Sequence, residues 1–247
     1  MNPLTIRMSE PVKLSAVPKA SSFALFSGMP ADEIGYLKKF CALKIFAPGE
    51  ILFEEGRRMT DIFLVQRGCA KFYKTSPHKP RTVFSIFGEG DVFELLTADE
   101  KEIHLFSASA ITEMAALSVS PKNFYRHFMS NLRFAHQLLH QKIRTIKDFY
   151  FTQLVGSESV ETRMAYYLLT LARHPGMVHG EGKKIIFDVP LTRLDIAQIV
   201  NTSVETSIRV IRIWIKKGLV TMAHRYLTIQ DAAAFKKIVD KLPRLTD

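Results

Sequence analysis

The sequence predicts an α+β fold: a compact all-β unit, then a long helix, then a helical unit that ends in a hairpin. Three observations predict it. Residues 45–120 break into apolar pieces of about five residues punctuated by Pro48-Gly49, Gly56, Gly68, Gly88 and Gly90, the signature of short strands joined by tight turns. From Pro121 onward there is no glycine until Gly156, and apolar residues recur at helical spacing. Beyond Gly156 the pattern reads as helix, strand, helix, turn, helix and hairpin, with a short helix at the end.

The composition bounds what this fold can serve. The 247 residues suit one large domain or two small ones, and 47% are hydrophobic, enough for a sizeable core. The net charge is +10, from 34 basic and 24 acidic residues, with a pI of about 9.6. That balance favours an anionic partner, nucleic acid or a membrane surface. No apolar run approaches the roughly 20 residues that cross a bilayer, so no spanning segment is expected; the chain reads as soluble and cytoplasmic, with no membrane partner. Only Cys41 and Cys69 are present, with no C-x-x-C pair. This argues against a disulfide framework, a structural zinc site and a four-thiolate iron–sulfur cluster, and points to a reducing cytoplasm. No nucleophile–base constellation, phosphate loop or metal motif appears, so an enzyme is not expected.

Element by element, residues 1–22 carry scattered charges and three prolines and read as a loose arm. The strands follow in `IFAPGEILFEEGRRMTDIFLVQRGCAKFYKTS` and `RTVFSIFGEGDVFELL`, and `LFSASAITEMAALSVS` closes the β unit. In the long helix, Leu139, Ile143, Ile146, Tyr150 and Gln153 step by four, three, four and three, the a/d spacing of a coiled-coil seam. The same stripe suits a helix packed on its own domain or a helix that pairs with a second copy. Gln153 is polar, and Leu154 beside it can substitute. Ser157 or Ser159 can cap the helix `VETRMAYYLLTLARH`, which stops at Pro175-Gly176.

The stretch `LTRLDIAQIVNTSVETSIRVIRIWIKKGLV` is the most specific. Thr192 is placed to cap `RLDIAQIV`, with Asp195 as its capping-box partner. Asn201-Thr202 makes the turn, because asparagine tolerates the left-handed conformation that ends a helix sharply. Ser203 caps the second helix, and Ala197 is the small residue where the two helices cross. Together with the following hairpin this is a winged helix-turn-helix. Ser207, Val210, Ile211 and Trp214 are expected to face the core. In such a pair the N-terminal turns of the second helix enter the major groove of DNA. The expected base contacts are Val204, Glu205, Ile208 and Arg209: Arg209 bidentate to guanine, Glu205 to a cytosine amino group or bracing Arg209, Ile208 on a thymine methyl. Thr192, Arg193, Ser203, Arg212 and Lys216 suit phosphates.

On these residues the chain resembles the Crp/Fnr transcription regulators. The likeness runs over roughly residues 23–230 and is carried by `PGEILFEEG`, `IFLVQRG`, `FGEGDVFELL` and, most specifically, `TRLDIAQIV` and `VETSIR`. The resemblance implies an N-terminal β-roll (jelly roll) of the cyclic-nucleotide-binding kind over residues 23–125. It implies a dimerisation helix over 126–155 and a winged helix-turn-helix DNA-binding domain over 156–247. It also implies a homodimer joined along Leu139, Ile143, Ile146 and Tyr150 that reads a palindrome in double-stranded DNA, with RNA polymerase as a further partner. Glu205 and Arg209 match the family's Glu and Arg four residues apart. Val204 stands where cyclic-AMP-binding members often carry Arg, and `VETSIR` is similar to oxygen- and nitric-oxide-responsive branches that favour a TTGAT-type half-site. Ser207 and Ile208 reverse the usual order of those branches, which leaves the bases outside the central G·C pair open.

The sensor departs from the cyclic-nucleotide binders. Glu94 follows Phe93 rather than Gly, His104 and Leu105 fall where an Arg-Ser pair would hold the phosphate, and Phe149 and Tyr150 fall at the positions that meet adenine. A cyclic phosphate needs a fixed cation and hydroxyl donors, so a branch that does not bind cyclic AMP is expected and the effector is left unidentified. His136 and His140, four apart on one helical face, read chiefly as solvated polar residues, with metal or haem as the alternative. Cys41 and Cys69 read as small buried residues before redox sensors. A hydrophobic ligand among Phe93, Leu105 and Tyr150 is another option, as is a regulator with no ligand. The competing function is a protein-interaction sensor with a degenerate DNA-binding half, suggested by Ile208, Ile213 and Ile215.

Overall fold

The computed structural model describes residues 24–76, 79–93, 103–174, 177–240 and 242. The N-terminal arm and Glu94 lie outside them. A 3-10 turn (Ala24–Phe26) and α1 (Ala31–Lys38) lead into eight strands. These are β1 (Ala42–Phe46), β2 (Ile51–Phe53), β3 (Ile62–Arg67), β4 (Ala70–Ser76), β5 (Lys79–Phe87), β6 (Val92–Phe93), β7 (Ser107–Ala110) and β8 (Met114–Val119). They form two antiparallel sheets, ordered β1-β8-β3-β6 and β2-β7-β4-β5.

Alternation along each strand sorts side chains between two cores. On β3, Phe63 and Val65 point into the β-roll with Phe46, Phe53, Phe72 and Phe93. Ile62 and Leu64 point outward against Leu25, Phe26, Ile34 and Leu37 of the N-terminal helices. Both faces of β3 are therefore covered, which is why its sequence is a continuous apolar run. The β3–β4 turn requires glycine: Gly68 has φ +79°, and a Cβ there would stand 2.2 Å from the Glu113 carbonyl oxygen.

The long helix begins later than the expected residue 126. Ser120 caps the short α2 (Pro121–Asn123), and a π-turn follows over Phe124–Phe128. The turn lays Phe124 and Phe128 into the core beside Phe134. The chain then starts afresh as α3 (Leu132–Val155), whose Phe134 N–H donates to Asn131 Oδ1 at 3.1 Å. One face of α3 is buried through Phe134, Leu138, Phe151 and Val155. Gln141 donates to the Gly90 carbonyl (2.9 Å) and Lys142 to that of Val92 (2.6 Å), which ties the helix to the β-roll.

The rest of the chain comprises α4 (Val160–Leu171), β9 (Val178–Glu181), β10 (Lys184–Phe187), α5 (Arg193–Ile199), α6 (Val204–Lys216), β11 (Val220–Ala223), β12 (Tyr226–Ile229) and α7 (Ala232–Lys236). Ser159 caps α4 by accepting from Thr162 N–H. Where the sequence predicts a single strand after α4 there is a hairpin, β9–β10, in a sheet ordered β11-β12-β10-β9. Trp214 and Phe235, both fully buried and edge-to-face at 4.9 Å, centre this unit's core. That core continues into Cys69, Tyr73, Val83 and Ile86, at and along β4 and β5 of the β-roll. The helical unit thus rests on the outer face of one β-roll hairpin.

Candidate nucleic-acid interface

The α5–α6 pair is built by local hydrogen bonds the sequence announces. Thr192 Oγ1 accepts from Asp195 N–H at 3.0 Å, and Thr192 N–H donates back to Asp195 Oδ2 at 3.3 Å, completing the capping box. Asn201 takes φ 51°, and Thr202 N–H reaches the Ala197 carbonyl at 2.9 Å. Ser203 Oγ accepts from Thr206 N–H at 3.1 Å. Buried Ser207 donates to the Val204 carbonyl (2.8 Å) and stands 3.3 Å from that of Arg193, which fixes α6 on α5.

Two long-range contacts hold this pair, and neither was visible in the sequence. Arg163 of α4 donates to the carbonyls of Val200 (3.2 Å) and Glu158 (3.1 Å), with Gly156 and Asn201 also in reach. It satisfies carbonyls left open where α5 ends. Lys71 of β4 meets Asp195 Oδ1 at 2.5 Å, with both side chains largely out of solvent. The capping carboxylate of the first helix is therefore also an anchor to the β-roll. A lysine on a strand 124 residues away gives no sequence signal for such a contact.

α6 has one buried and one exposed face, with Ile213 and Ile215 also exposed. Ser207, Val210, Ile211 and Trp214 are buried, and Trp214 Nε1 donates to Glu161 at 2.8 Å. Glu205, Arg209, Arg212 and Lys216 are exposed, while Val204 and Ile208 are half-buried. Among the described residues no carboxylate lies within ion-pair distance of Arg209, Arg212 or Lys216, and Glu205 does not brace Arg209. Lys217, by contrast, sits 3.8 Å from Glu161. The Glu205 carboxyl is held below the usual range by its own backbone N–H and the Ser203 hydroxyl, as expected for an anion at a helix N-terminus. Thr192 and Arg193 open α5 beside this face.

The hairpin tip adds residues that sequence reasoning missed. His224 (φ 49°) and Arg225 (φ 75°) are both left-handed in the β11–β12 turn. Asn-Gly normally fills such positions, and non-glycine residues there carry strain. With Thr192, Arg193 and Met222 they line a notch of about 340 Å³. The signal was the `AHRY` tetrapeptide, a cationic tip without glycine.

Leu139, Ile143, Ile146 and Tyr150 lie on the outward face of α3, between 41% and 64% exposed. The Gln153 side chain lies outside the described set, and neighbouring Leu154 is exposed. The β-roll interior is crowded with aromatics. Phe53 stacks on His104 at 4.0 Å and packs against Phe63, Phe72 and Phe93, and Phe87 packs against Phe72 and Phe93. His104 is buried, whereas Leu105, Phe149 and Tyr150 are exposed. Phe93 is closed into the β-roll, so the structure does not gather Phe93, Leu105 and Tyr150 around one space. Burial pushes the thiols of Cys41 and Cys69 up to about 11, which suppresses the reactive thiolate. Among the described residues no group of three or more His, Cys, Asp or Glu side chains could hold a metal ion, and no helix is long and apolar enough to cross a membrane.

Residues 43–131 match the cyclic nucleotide-binding domain and residues 162–238 the Crp-like helix-turn-helix domain. The CRP-like cAMP-activated global transcriptional regulator of Mycobacterium tuberculosis is 27% identical over 208 residues, covering 81% of this chain and 86% of that protein. The cyclic AMP receptor protein of Thermus thermophilus is 25% identical over 224 residues, covering 87% and 95%. The fold is also that of a solved CRP-family transcriptional regulator from Thermus thermophilus, with TM-score 0.68, 19% identity, and coverage of 82% of this chain and all of that one. With the β-roll, the connecting helix and the winged helix-turn-helix in that order, the chain belongs to the Crp/Fnr family of transcription regulators.

Proposed function

We propose that two copies of this chain join along α3 and place the N-terminal turns of their α6 helices in successive major grooves of one palindromic DNA site. The observation that carries this is the division of α6. Ser207, Val210, Ile211 and Trp214 are spent on the core, while Arg209, Arg212 and Lys216 stand exposed with no carboxylate partner among the described residues. Cations with no internal role on a rigid, capped helix are positioned for phosphates and base edges. Val204, Glu205, Ile208 and Arg209 are the base readers; Thr192, Arg193, Ser203, Arg212 and Lys216 face the backbone, and the His224–Arg225 tip extends that track. The exposed stripe of Leu139, Ile143, Ile146 and Tyr150 supports the dimer, since a monomer would leave it in water. Two-fold symmetry then sets the half-sites about 34 Å apart, one turn of DNA. RNA polymerase is the further partner.

The sensor is proposed to respond to something other than cyclic AMP, although two relatives are named for that ligand. His104 is stacked inside the aromatic core, Leu105 points to solvent, and neither replaces the cation and hydroxyl of a phosphate clamp. A ligand can act here only by favouring one arrangement of sensor and helix pair over another, and the Lys71–Asp195 contact lies on that route.

Fluorescence anisotropy at fixed salt tests the reading, using a TTGAT-type palindrome, a single half-site and a scrambled duplex. Preference for the palindrome supports it. Equal affinity for all three means only non-specific phosphate binding. That result would favour the second reading, a protein-interaction module, for which the exposure of Ile213 and Ile215 on α6 is the supporting observation.

A further inference from the structure

We propose that His136 and His140 chelate a divalent transition-metal ion on the outer face of α3. Their Nε2 atoms stand 3.2 Å apart, with ring centroids at 4.4 Å. Two imidazole nitrogens bound to one tetrahedral zinc ion at about 2.0–2.1 Å would be about 3.3 Å apart. The rings therefore already hold the separation that bidentate binding needs. Spacing of four on one helical face is also the spacing by which paired histidines bind zinc on a helix in other settings.

The surroundings agree. Both rings are exposed and meet each other. Of the other described histidines, His127 stacks on Phe40 and bonds Tyr36, and His174 and His179 meet Asp91 and Asp188. The nearest cation toward the helix start, Arg133, has its charge met by Glu33 at 3.0 Å. Imidazole donors suit zinc, nickel and copper rather than magnesium or calcium. Two ligands per chain leave the remaining positions to water or to a second copy.

The place on the helix gives the site its consequence. Leu132, His136, Leu139, Ile143, Ile146 and Tyr150 step by four, three, four, three and four, so His136 occupies a seam position. A bound ion sits at the N-terminal end of the proposed dimer seam, which makes a transition metal the class of signal that can act there. This last step rests on the dimer reading; the chelate itself needs one chain.

The test is isothermal titration of Zn²⁺ or Ni²⁺ into the untagged, chelator-stripped full chain, beside His136→Ala, His140→Ala and the double variant, with sedimentation of the same samples. Loss of outer-shell partners alone weakens metal sites by about 10–100-fold, so loss of either direct ligand should weaken binding at least about tenfold. Saturable binding in the wild type that the double variant lacks supports the site. Absence of saturable binding, or equal binding by the double variant, overturns it. Saturable binding by a chain that sediments as a monomer keeps the chelate and sinks the dimer; a dimer that binds no metal sinks the chelate alone.

Discussion

At the scale of single residues, Arg209 stands exposed on α6 one turn from Glu205, with no carboxylate among the described residues to neutralise it. Arg209→Ala should cost about 1–3 kcal/mol of specific binding and relax the preference at one base pair. Anisotropy against palindromes changed at single positions checks this; a uniform loss across all sequences would make Arg209 a phosphate contact. Lys71→Ala leaves the Asp195 carboxylate without its cation in a largely buried place. The capping box still satisfies part of it, so about 1.5–3 kcal/mol should be lost in urea unfolding, where a charged hydrogen bond is the unit of loss. Loss below about 0.5 kcal/mol, less than even an ordinary neutral hydrogen bond contributes, would mean the anchor is idle. Residue-scale features were legible where they are local. Thr192, Asp195, Asn201 and Ser203 announced caps and a turn because each acts on backbone within three residues or on its own φ. Lys71 and Arg163 were not, since each meets its target only after the chain has folded back over it.

At the scale of elements, α3 was readable as a helix with an apolar stripe, but the stripe alone left open whether it faced its own domain. The structure assigns the inward face to a different set, Phe134, Leu138, Phe151 and Val155, and leaves Leu139, Ile143, Ile146 and Tyr150 outside. Ile146→Glu should therefore spare the fold and weaken the dimer by about 2 kcal/mol or more per copy, the cost of a polar group in a dry seam; sedimentation equilibrium and thermal melts read the two effects separately. The π-turn before α3 and the β9–β10 hairpin were not legible, because burial of Phe124 and Phe128 and pairing between strands decide them rather than local propensity. A further element-scale contact joins the sensor turn to the end of α4: His174 Nδ1 lies 3.2 Å from Asp91, while Asp91 also meets Gln141 of α3. Burial alone would lower the His174 pKa. The Asp91 hydrogen bond and the charges of Asp91 and Asp148 outweigh burial and the opposing Arg144, so it is raised above 6.5. The folded state thus holds the proton longer than the unfolded chain. Its contribution is complete below about pH 6.5 and is lost as pH rises through the raised value. The melting temperature of the wild type should fall more between about pH 6 and about pH 8.5 than that of His174→Gln; parallel curves would remove His174 from the balance.

At the scale of the whole molecule, the α5–α6 pair and the β-roll share a core and the largely buried Lys71–Asp195 ion pair. Cys69, Tyr73, Val83 and Ile86 pack with the helical unit that carries α6, and Lys71 holds the cap of α5. Under the proposed function, these contacts are the route by which a rearrangement of β4 and β5 would reach α5 and the face proposed to read DNA. The order of units was legible from glycine spacing and helical periodicity, whereas the way they dock was not, because it rests on residues far apart in sequence. The central claim is that two α6 tips lie in successive grooves of one duplex. Hydroxyl-radical footprinting of the full chain on a TTGAT-type palindrome tests it most directly. The account predicts two symmetric protected patches about one helical turn apart, both lost in Arg209→Ala at concentrations that saturate the wild type. A single asymmetric patch, or protection that ignores the palindrome, would contradict it.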